Sequence, residues 1–264
     1  MPIEFVKKPG LVAYITAGDP DIATTREIAL AAIDAGADVI ELGVPFSDPL
    51  ADGPVIQRAS ERALAKGTRL VDVLALAKEL RQARPQAGLI IFSYLNPILR
   101  LGMQQFCEQA AAAGADGVLV TDMIVEEADE YLRHMQANNL APVFLAAPTS
   151  PDVRLQKIAA VTQGFVYAIS RVGITGTQTQ VASDAETLVE RLRKFTALPV
   201  AVGFGISNAD HVAAVGRFAD AAVVGSAIVA VVEKSTPQEA PAAVAKLVAS
   251  LLEKREAAQA VSAS

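Results

Sequence analysis

Ala35-Gly36-Ala37-Asp38-Val39-Ile40-Glu41-Leu42 closes a helical stretch with a glycine and opens an apolar run, and 78 residues later Ala113-Gly114-Ala115-Asp116-Gly117-Val118-Leu119-Val120 does the same. The offset equals two strand-helix units, so the repeat points to an architecture built by radial repetition. Outward from these two copies, short apolar runs with little alternation recur at 11–16, 39–42, 89–92, 117–120, 143–146, 165–169, 200–202 and 222–224. Continuous apolar strands of this kind suit a parallel sheet covered on both faces. Eight strands are counted.

Helices with one apolar stripe alternate with them. The stripes fall at i, i+3, i+4 and i+7: Val73, Leu76, Ala77 and Leu80; Ala128, Tyr131, Leu132 and Met135; Ala185, Leu188, Val189 and Leu192; Val244, Leu247, Val248 and Leu251. Ser183 with Glu186, and Thr236 with Pro237 and Glu239, read as capping boxes that start two of them. Eight such units on 264 residues predict an α/β fold, a (β/α)8 barrel forming a single domain over 1–264, with a frayed tail at 257–264. A doubly wound open sheet is the alternative, but no Gly-x-Gly-x-x-Gly follows the first strand. Residues 170–182, without a periodic pattern, read as a long loop of the binding or lid type.

Composition bounds the function. The chain is 52% hydrophobic and 20% charged with 17 Gly and 14 Pro, which excludes disorder and collagen. Its net charge is −6 and no basic run exceeds Lys7-Lys8, so the footprint of a nucleic-acid binder is missing. The one cysteine, Cys107, cannot form an intramolecular disulfide and reads as a packed thiol, which leaves a cytoplasmic location as the default. The apolar run after Lys7-Lys8 mimics a signal peptide, but Gly18-Asp19-Pro20 breaks it as a turn before a helix. No apolar stretch reaches the length of a membrane span.

In a barrel of this type the active site gathers at the C-terminal ends of the strands. Glu41 lies inside the second strand on the same face as Val39. Two readings fit it: a desolvated acid-base group with a raised pKa, or one half of a structural ion pair. The loop Ser47-Asp48-Pro49-Leu50-Ala51-Asp52-Gly53-Pro54 follows, and Asp52, eleven residues beyond Glu41, either presents a second carboxylate or caps a turn. Gly203, Gly205 and Ser207 after strand seven, with Gly225 and Ser226 after strand eight, match the place where barrels bind phosphate on backbone amides and a helix N-terminus. Gly173 and Gly176, after strand six, are placed to close over the same anion. Tyr167 and Asp122 stand at strand ends as polar members of the mouth. His134 and His211 stand alone, so no metal site is expected. No Gly-x-Ser-x-Gly nucleophile elbow occurs.

The run from Glu41 to Pro54, with Thr16-Ala17-Gly18-Asp19-Pro20, residues 167–176 and Gly203 to Ser207 in the same order, resembles the tryptophan synthase alpha subunit family over roughly residues 10–235. That resemblance implies a carbon-carbon lyase of tryptophan, hence aromatic amino-acid, biosynthesis. It would cleave indole-3-glycerol phosphate by a retro-aldol reaction to indole and glyceraldehyde 3-phosphate, with no metal or cofactor in this chain. By position, Glu41 would be the catalytic acid and base, Asp52 would hold the indole N–H, and Tyr167 would support Asp52. Tyr14, Tyr94, Thr175, Gly176, Phe204, Gly205, Gly225 and Ser226 would bind substrate. Pro45 and Asp48 would touch a beta subunit that carries pyridoxal phosphate, in an alpha2-beta2 heterotetramer.

Two departures from the family pattern carry expectations of their own. Only residues 1–9 precede strand one, so the helix that plugs the family's barrel base is expected to be shortened or absent. After strand four, Asp122-Met123-Ile124 lacks the family's proline, which predicts a less rigid loop. Three other readings remain: a stand-alone indole-3-glycerol-phosphate lyase that releases free indole, a phosphosugar isomerase on the same barrel, and a barrel kept as a scaffold. The last two would have no use for the Glu41 to Asp52 block.

Overall fold

The computed structural model describes residues 3, 5, 7–169, 178–203 and 205–255, with the backbone alone for 178–182. Its strands are β1 (Gly10–Thr16), β2 (Val39–Gly43), β3 (Gly88–Ser93), β4 (Gly117–Val120), β5 (Ala141–Val143), β6 (Leu145–Ala146), β7 (Val166–Ile169), β8 (Val200–Gly203) and β9 (Ala221–Val224). All pairings are parallel, in the order β5-β4-β3-β2-β1-β9-β8-β7-β6. β5 and β6 flank Phe144 and are two halves of the expected fifth strand. One half pairs with β4, the other with β7, and the Tyr167 N–H donates to the Phe144 carbonyl at 3.2 Å. The sheet therefore closes on itself as an eight-stranded barrel.

Alternation along each strand divides the core in two. Val12, Val39, Ile90, Leu119, Val143, Ala201 and Val223 fill the barrel, while Leu11, Ile40, Leu42, Leu89 and Val118 face outward against the helices. The stripes behave as their spacing predicts: α3 (Leu70–Ala83) buries Val73, Leu76, Ala77 and Leu80, and α11 (Ala240–Leu252) buries Val244, Val248 and Leu251. Each such aliphatic side chain contributes about 1.5–3 kcal/mol by leaving water.

The repeated Ala-Gly-Ala-Asp segments have a job beyond architecture. Gly36 and Gly114 take positive φ (111° and 79°), which turns the chain from helix to strand at little steric cost. The following aspartate then reaches across to the start of the neighbouring strand. Asp38 Oδ2 accepts from the Leu11 N–H and Asp116 Oδ2 from the Leu89 N–H, each at 2.8 Å. Asp220 repeats the device on the Val200 N–H at 2.8 Å. Cations complete each clasp: Arg255 on Asp38, Arg81 on Asp116, and Lys8 with Arg193 on Asp220. Asp116→Ala is expected to cost about 1–3 kcal/mol in urea unfolding, because it strands the Leu89 amide, while the Arg81 guanidinium keeps the Gly114, Pro85 and Ala87 carbonyls.

Some expectations need correction. At the base of the barrel, where a shortened or absent helix is expected, side chains do the filling: Ile3 and Phe5 are buried among Val12, Val39, Ile90 and Phe165, with the Phe5 and Phe165 rings 6.0 Å apart edge to face. Ser183 does not start a helix, since α8 runs Gln178–Leu192 and Ser183 lies within it on an exposed face. The expected loop at 170–182 is thus helical from 178 onward. Thr236 does engage Glu239, whose Oε2 lies 2.7 Å from its hydroxyl and accepts from its N–H at 3.2 Å, one turn before α11. The turn after β4, where the family's proline is missing, holds a 3-10 turn at Val125–Glu127 and a surface Arg154–Glu126 ion pair at 3.0 Å. The tail at 257–264 lies outside the described residues.

Candidate active site

β1 and β2 pair with Tyr14 opposite Glu41, so the same pleat that sends Val12 and Val39 into the barrel sends these two side chains into it one step nearer the mouth. Glu41 is fully buried and neither of its carboxyl oxygens has a hydrogen-bond partner among the described residues. The ion-pair reading of Glu41 therefore fails. Loss of water pushes its pKa up from 4.5 to about 8. At neutral pH it holds a proton.

Glycines make room for the phenols around it. A Cβ at Gly43 would lie 2.2 Å from the Tyr14 hydroxyl, and one at Gly203 would lie 2.3 Å from that of Tyr167. Tyr14 stands edge-on to Phe92, ring centroids 5.0 Å apart. Burial, with Glu41 and Asp52 nearby, raises the pKa values of Tyr14 and Tyr167, so both phenols keep their protons.

Asp52 comes from the loop between β2 and α2 (Pro54–Ala65). Its N–H donates to the Pro49 carbonyl at 3.0 Å, and Gln57 Nε2 donates to its own carbonyl at 2.9 Å. Its carboxylate accepts from the Tyr94 hydroxyl at 3.0 Å, and that hydroxyl accepts from the Ala51 N–H at 3.0 Å. The tyrosine that supports Asp52 in this structure is thus Tyr94, and Tyr167, expected in that role, makes no such bond. The reason is placement: Tyr94 directly follows β3 beside the loop, whereas Tyr167 lies within β7. Burial lifts the Asp52 pKa from 3.8 to about 6, and the Tyr94 bond restrains that rise. Two carboxyls at one mouth thus sit in unlike environments.

α10 (Ser226–Lys234) starts directly after Gly225, which as its N-cap has no side chain to offer. The first amides of a helix have no partner within the helix, the arrangement that binds anions. Gly205 holds φ at +67°, and a Cβ there would meet nothing within 4 Å among the described residues. Gly205→Val forces a β-branched residue into the left-handed region. We expect a folded Gly205→Val protein to bind glycerol 3-phosphate at least about tenfold more weakly by calorimetry, the loss of one good anion contact. Gly173, Thr175, Gly176 and Phe204 lie outside the described residues.

The other candidates fall away from the mouth or turn structural. Asp122 caps the helix α4 (Leu95–Leu101) by accepting from the Leu95 N–H at 2.8 Å. Cys107 is buried with its sulfur 3.9 Å from that of Met135, and burial pushes its pKa to about 11. Pro45 is buried, because Val44 still bonds the Phe92 carbonyl within the barrel wall, so it offers no surface to a partner. Asp48 is exposed, its carboxylate accepting from the Ser47 hydroxyl and its carbonyl from the N–H of Leu50, which is 93% exposed. Among the described residues no group of three or more His, Cys, Asp or Glu could hold a metal ion.

These features define a (β/α)8-barrel enzyme with two differently tuned carboxyls at its mouth. A family model described as tryptophan synthase alpha chain matches residues 4–261. The alpha chain of Solibacter usitatus is 48% identical over 233 residues, covering 88% of this chain and 87% of that one, and the alpha chain of Neisseria meningitidis is 46% identical over 241, covering 91% and 92%. A solved tryptophan synthase a2b2 complex from Pyrococcus furiosus superposes with a TM-score of 0.87 at 40% identity, over 93% of this chain and 98% of that chain. A Mycobacterium tuberculosis tryptophan synthase structure gives 0.85 at 35% identity, covering 92% and 91%. The chain belongs to the tryptophan synthase alpha chain family.

Proposed function

We propose that the chain cleaves indole-3-glycerol phosphate to indole and glyceraldehyde 3-phosphate, as the alpha subunit of a tryptophan synthase in tryptophan biosynthesis. The observation that carries this reading is the separation of two carboxyls at one barrel mouth, Glu41 near 8 and Asp52 near 6. Environments that push two carboxyls apart divide acid from base roles.

Glu41, protonated at neutral pH, donates to C3 of the indole ring. The ring electrons form the new C–H bond and leave a cationic indolenine whose N–H faces the ionised Asp52. Preorganised charge of this kind stabilises the cation without reorganisation. The Glu41 carboxylate then takes the proton of the hydroxyl on the adjoining side-chain carbon. The carbon-carbon bond breaks, its electrons restore the aromatic indole, and the hydroxyl-bearing carbon becomes the aldehyde. Glu41 ends protonated, as it began. Proton transfers suffice for the whole cycle, so the chain needs no cofactor of its own, and pyridoxal phosphate belongs to the beta subunit. Gly205, Gly225 and Ser226 hold the phosphate, and Tyr14, Tyr94 and Tyr167 line the indole pocket.

The partner surface lies at the same end of the barrel. Leu50, Leu99, Ile124 and Val153 are 93, 55, 46 and 68% exposed and lie on the segments that follow the second to fifth barrel strands. Several exposed apolar side chains on one face mark an interaction site, and Asp48 supplies its charged member. The chain works as one barrel domain in the cytoplasm, a location that suits its buried, unpaired cysteine. Among the described residues no helix is long and apolar enough to cross a membrane.

An indole-release assay on the isolated chain, repeated with a beta subunit present, tests the reading. We expect slow release alone and a faster rate in the complex. Release at full rate without a partner would favour a stand-alone lyase, and no indole under either condition would overturn the assignment.

A further inference from the structure

Two helices cap the mouth between the first, second and eighth barrel strands, and both border the site at their N-termini. α2 begins two residues after Asp52, and α10 begins at Ser226. They meet over a small apolar cluster of Tyr14, Ala59 and Val229, with Val55 and Ile56 packed against it. Apolar contact of this kind is non-directional, and it does not by itself fix how one helix slides along the other.

A set of directional contacts lies beside that cluster, well away from the reacting groups. Arg62, in the last turn of α2, grips Asp19 with both prongs of its guanidinium, Nε to Oδ1 at 2.9 Å and Nη2 to Oδ2 at 2.8 Å. Asp19 belongs to the turn after β1 and is only 3% exposed. The third nitrogen, Nη1, donates to Glu233 Oε1 of α10 at 2.9 Å. Arg58, one helical turn earlier on α2, binds both oxygens of the same Glu233 at 2.8 and 2.9 Å. Three elements are thus joined at one guanidinium: the turn after β1, α2 and α10.

We propose that Arg62 is a positioning residue, which locks α2 to α10 and so fixes the Asp52 loop relative to the anion-binding start of α10. A partly exposed ion pair adds little net stability, so what Arg62 contributes is geometry. Arginine is suited to it: only a planar fork holds one carboxylate bidentately while its remaining nitrogen reaches a second. The link to Asp52 runs through the body of α2, whose first turn is already tied to the loop by the Gln57 side chain. A substrate anchored by its phosphate on α10 then presents its ring to Asp52 at a distance set by this clamp. The inference rests on the function proposed above for the mouth.

The test uses the full chain with Arg62→Met, Arg62→Lys and Glu233→Gln. Displacing a catalytic group by about 1 Å costs on the order of 10²-fold in rate. We therefore expect Arg62→Met to lower kcat for indole release by at least about tenfold, while the Kd for glycerol 3-phosphate, which occupies the anion site alone, stays within about threefold. Arg62→Lys, which keeps a cation but cannot hold both carboxylates, should fall between Arg62→Met and the parent. Glu233→Gln keeps Asp19 paired and should lose kcat with little change in Tm. Should Arg62→Met not fold, these two variants carry the test. Unchanged kcat in folded Arg62→Lys and Glu233→Gln proteins would overturn the proposal, as would kcat and glycerol 3-phosphate affinity falling together in proportion to Tm.

A readout independent of turnover separates this inference from the function itself. Amide hydrogen exchange across α2 and α10 should be at least about tenfold faster in Arg62→Lys and Glu233→Gln, because local opening no longer has to break the clamp. If the parent protein releases no indole, the functional reading fails, and exchange alone then judges the lock. Unchanged exchange in both helices would sink it.

Discussion

Glu41→Gln is expected to lower indole release by roughly 10²- to 10⁴-fold, the usual worth of general acid-base catalysis, while making the protein more stable at alkaline pH. Both effects follow from one fact, a carboxyl buried without a partner among the described residues. Its folded pKa is raised from 4.5 to about 8. Below about pH 4.5 the group is protonated in both states and costs nothing. Between there and about pH 8 the unfolded chain gives up the proton while the folded chain keeps it, so stability falls as pH rises, by up to roughly 4–5 kcal/mol. Glutamine does not titrate, so the variant escapes that loss. Urea unfolding of both proteins at pH 5 and pH 8.5 should show the variant's advantage growing with pH. A loss of about 3–5 kcal/mol in the variant at every pH would instead reveal a hidden ion pair and remove Glu41 from the chemistry.

Much of the barrel was legible because its signals are local. Periodicity finds the stripes of α3 and α11, and the repeated glycine and aspartate mark the helix-to-strand turns before β2 and β4. Features made by distant residues were not. The Asp220 clasp copies those of Asp38 and Asp116, but Phe218-Ala219-Asp220 lacks the glycine that would have flagged it. The break at Phe144, between the half that pairs with β4 and the half that pairs with β7, is announced by no residue nearby. Ser183 satisfied a capping pattern that the backbone ignores, because a helix start depends on whether the preceding residues continue the turn. That Ile3 and Phe5 fill the base as single side chains was not legible either, because nothing in a nine-residue lead says which barrel residues it meets.

The site divides along the same line. Glu41 stood out because a charge inside an apolar strand is costly wherever the strand goes. Asp52 was placed by resemblance, and the bond it accepts from Tyr94 was not foreseen, because spacing along the chain does not say which phenols a folded-back loop will meet. Arg62 carried no signal at all. Arginine on a helix at i, i+4 from another arginine reads as a solvated face, and its role appears only when Asp19 and Glu233, 43 and 171 residues away, are brought to it.

The last expectation concerns Asp52 and the pH dependence it shares with Glu41. Asp52 must be ionised to face the indolenine, and Glu41 must be protonated to make it. With values of about 6 and about 8, kcat should follow a bell, falling on the acid side as Asp52 takes a proton and on the alkaline side as Glu41 loses one. Asp52→Asn keeps the shape and the Tyr94 neighbour but removes the charge. Release should drop by on the order of 10²- to 10³-fold, the cost of deleting one preorganised electrostatic contact, and the acid limb should vanish from what remains. Tyr94→Phe removes the hydrogen bond that holds the Asp52 pKa down, so its acid limb should move to higher pH while the alkaline limb stays. Asp48→Ala, on the same loop but exposed, should leave both limbs in place in the isolated chain and weaken sedimentation with a beta subunit. If Asp52→Asn and Asp48→Ala reduced isolated-chain turnover equally, or if the acid limb survived in Asp52→Asn, the loop would be acting through its fold and Asp52 would have no charge to contribute.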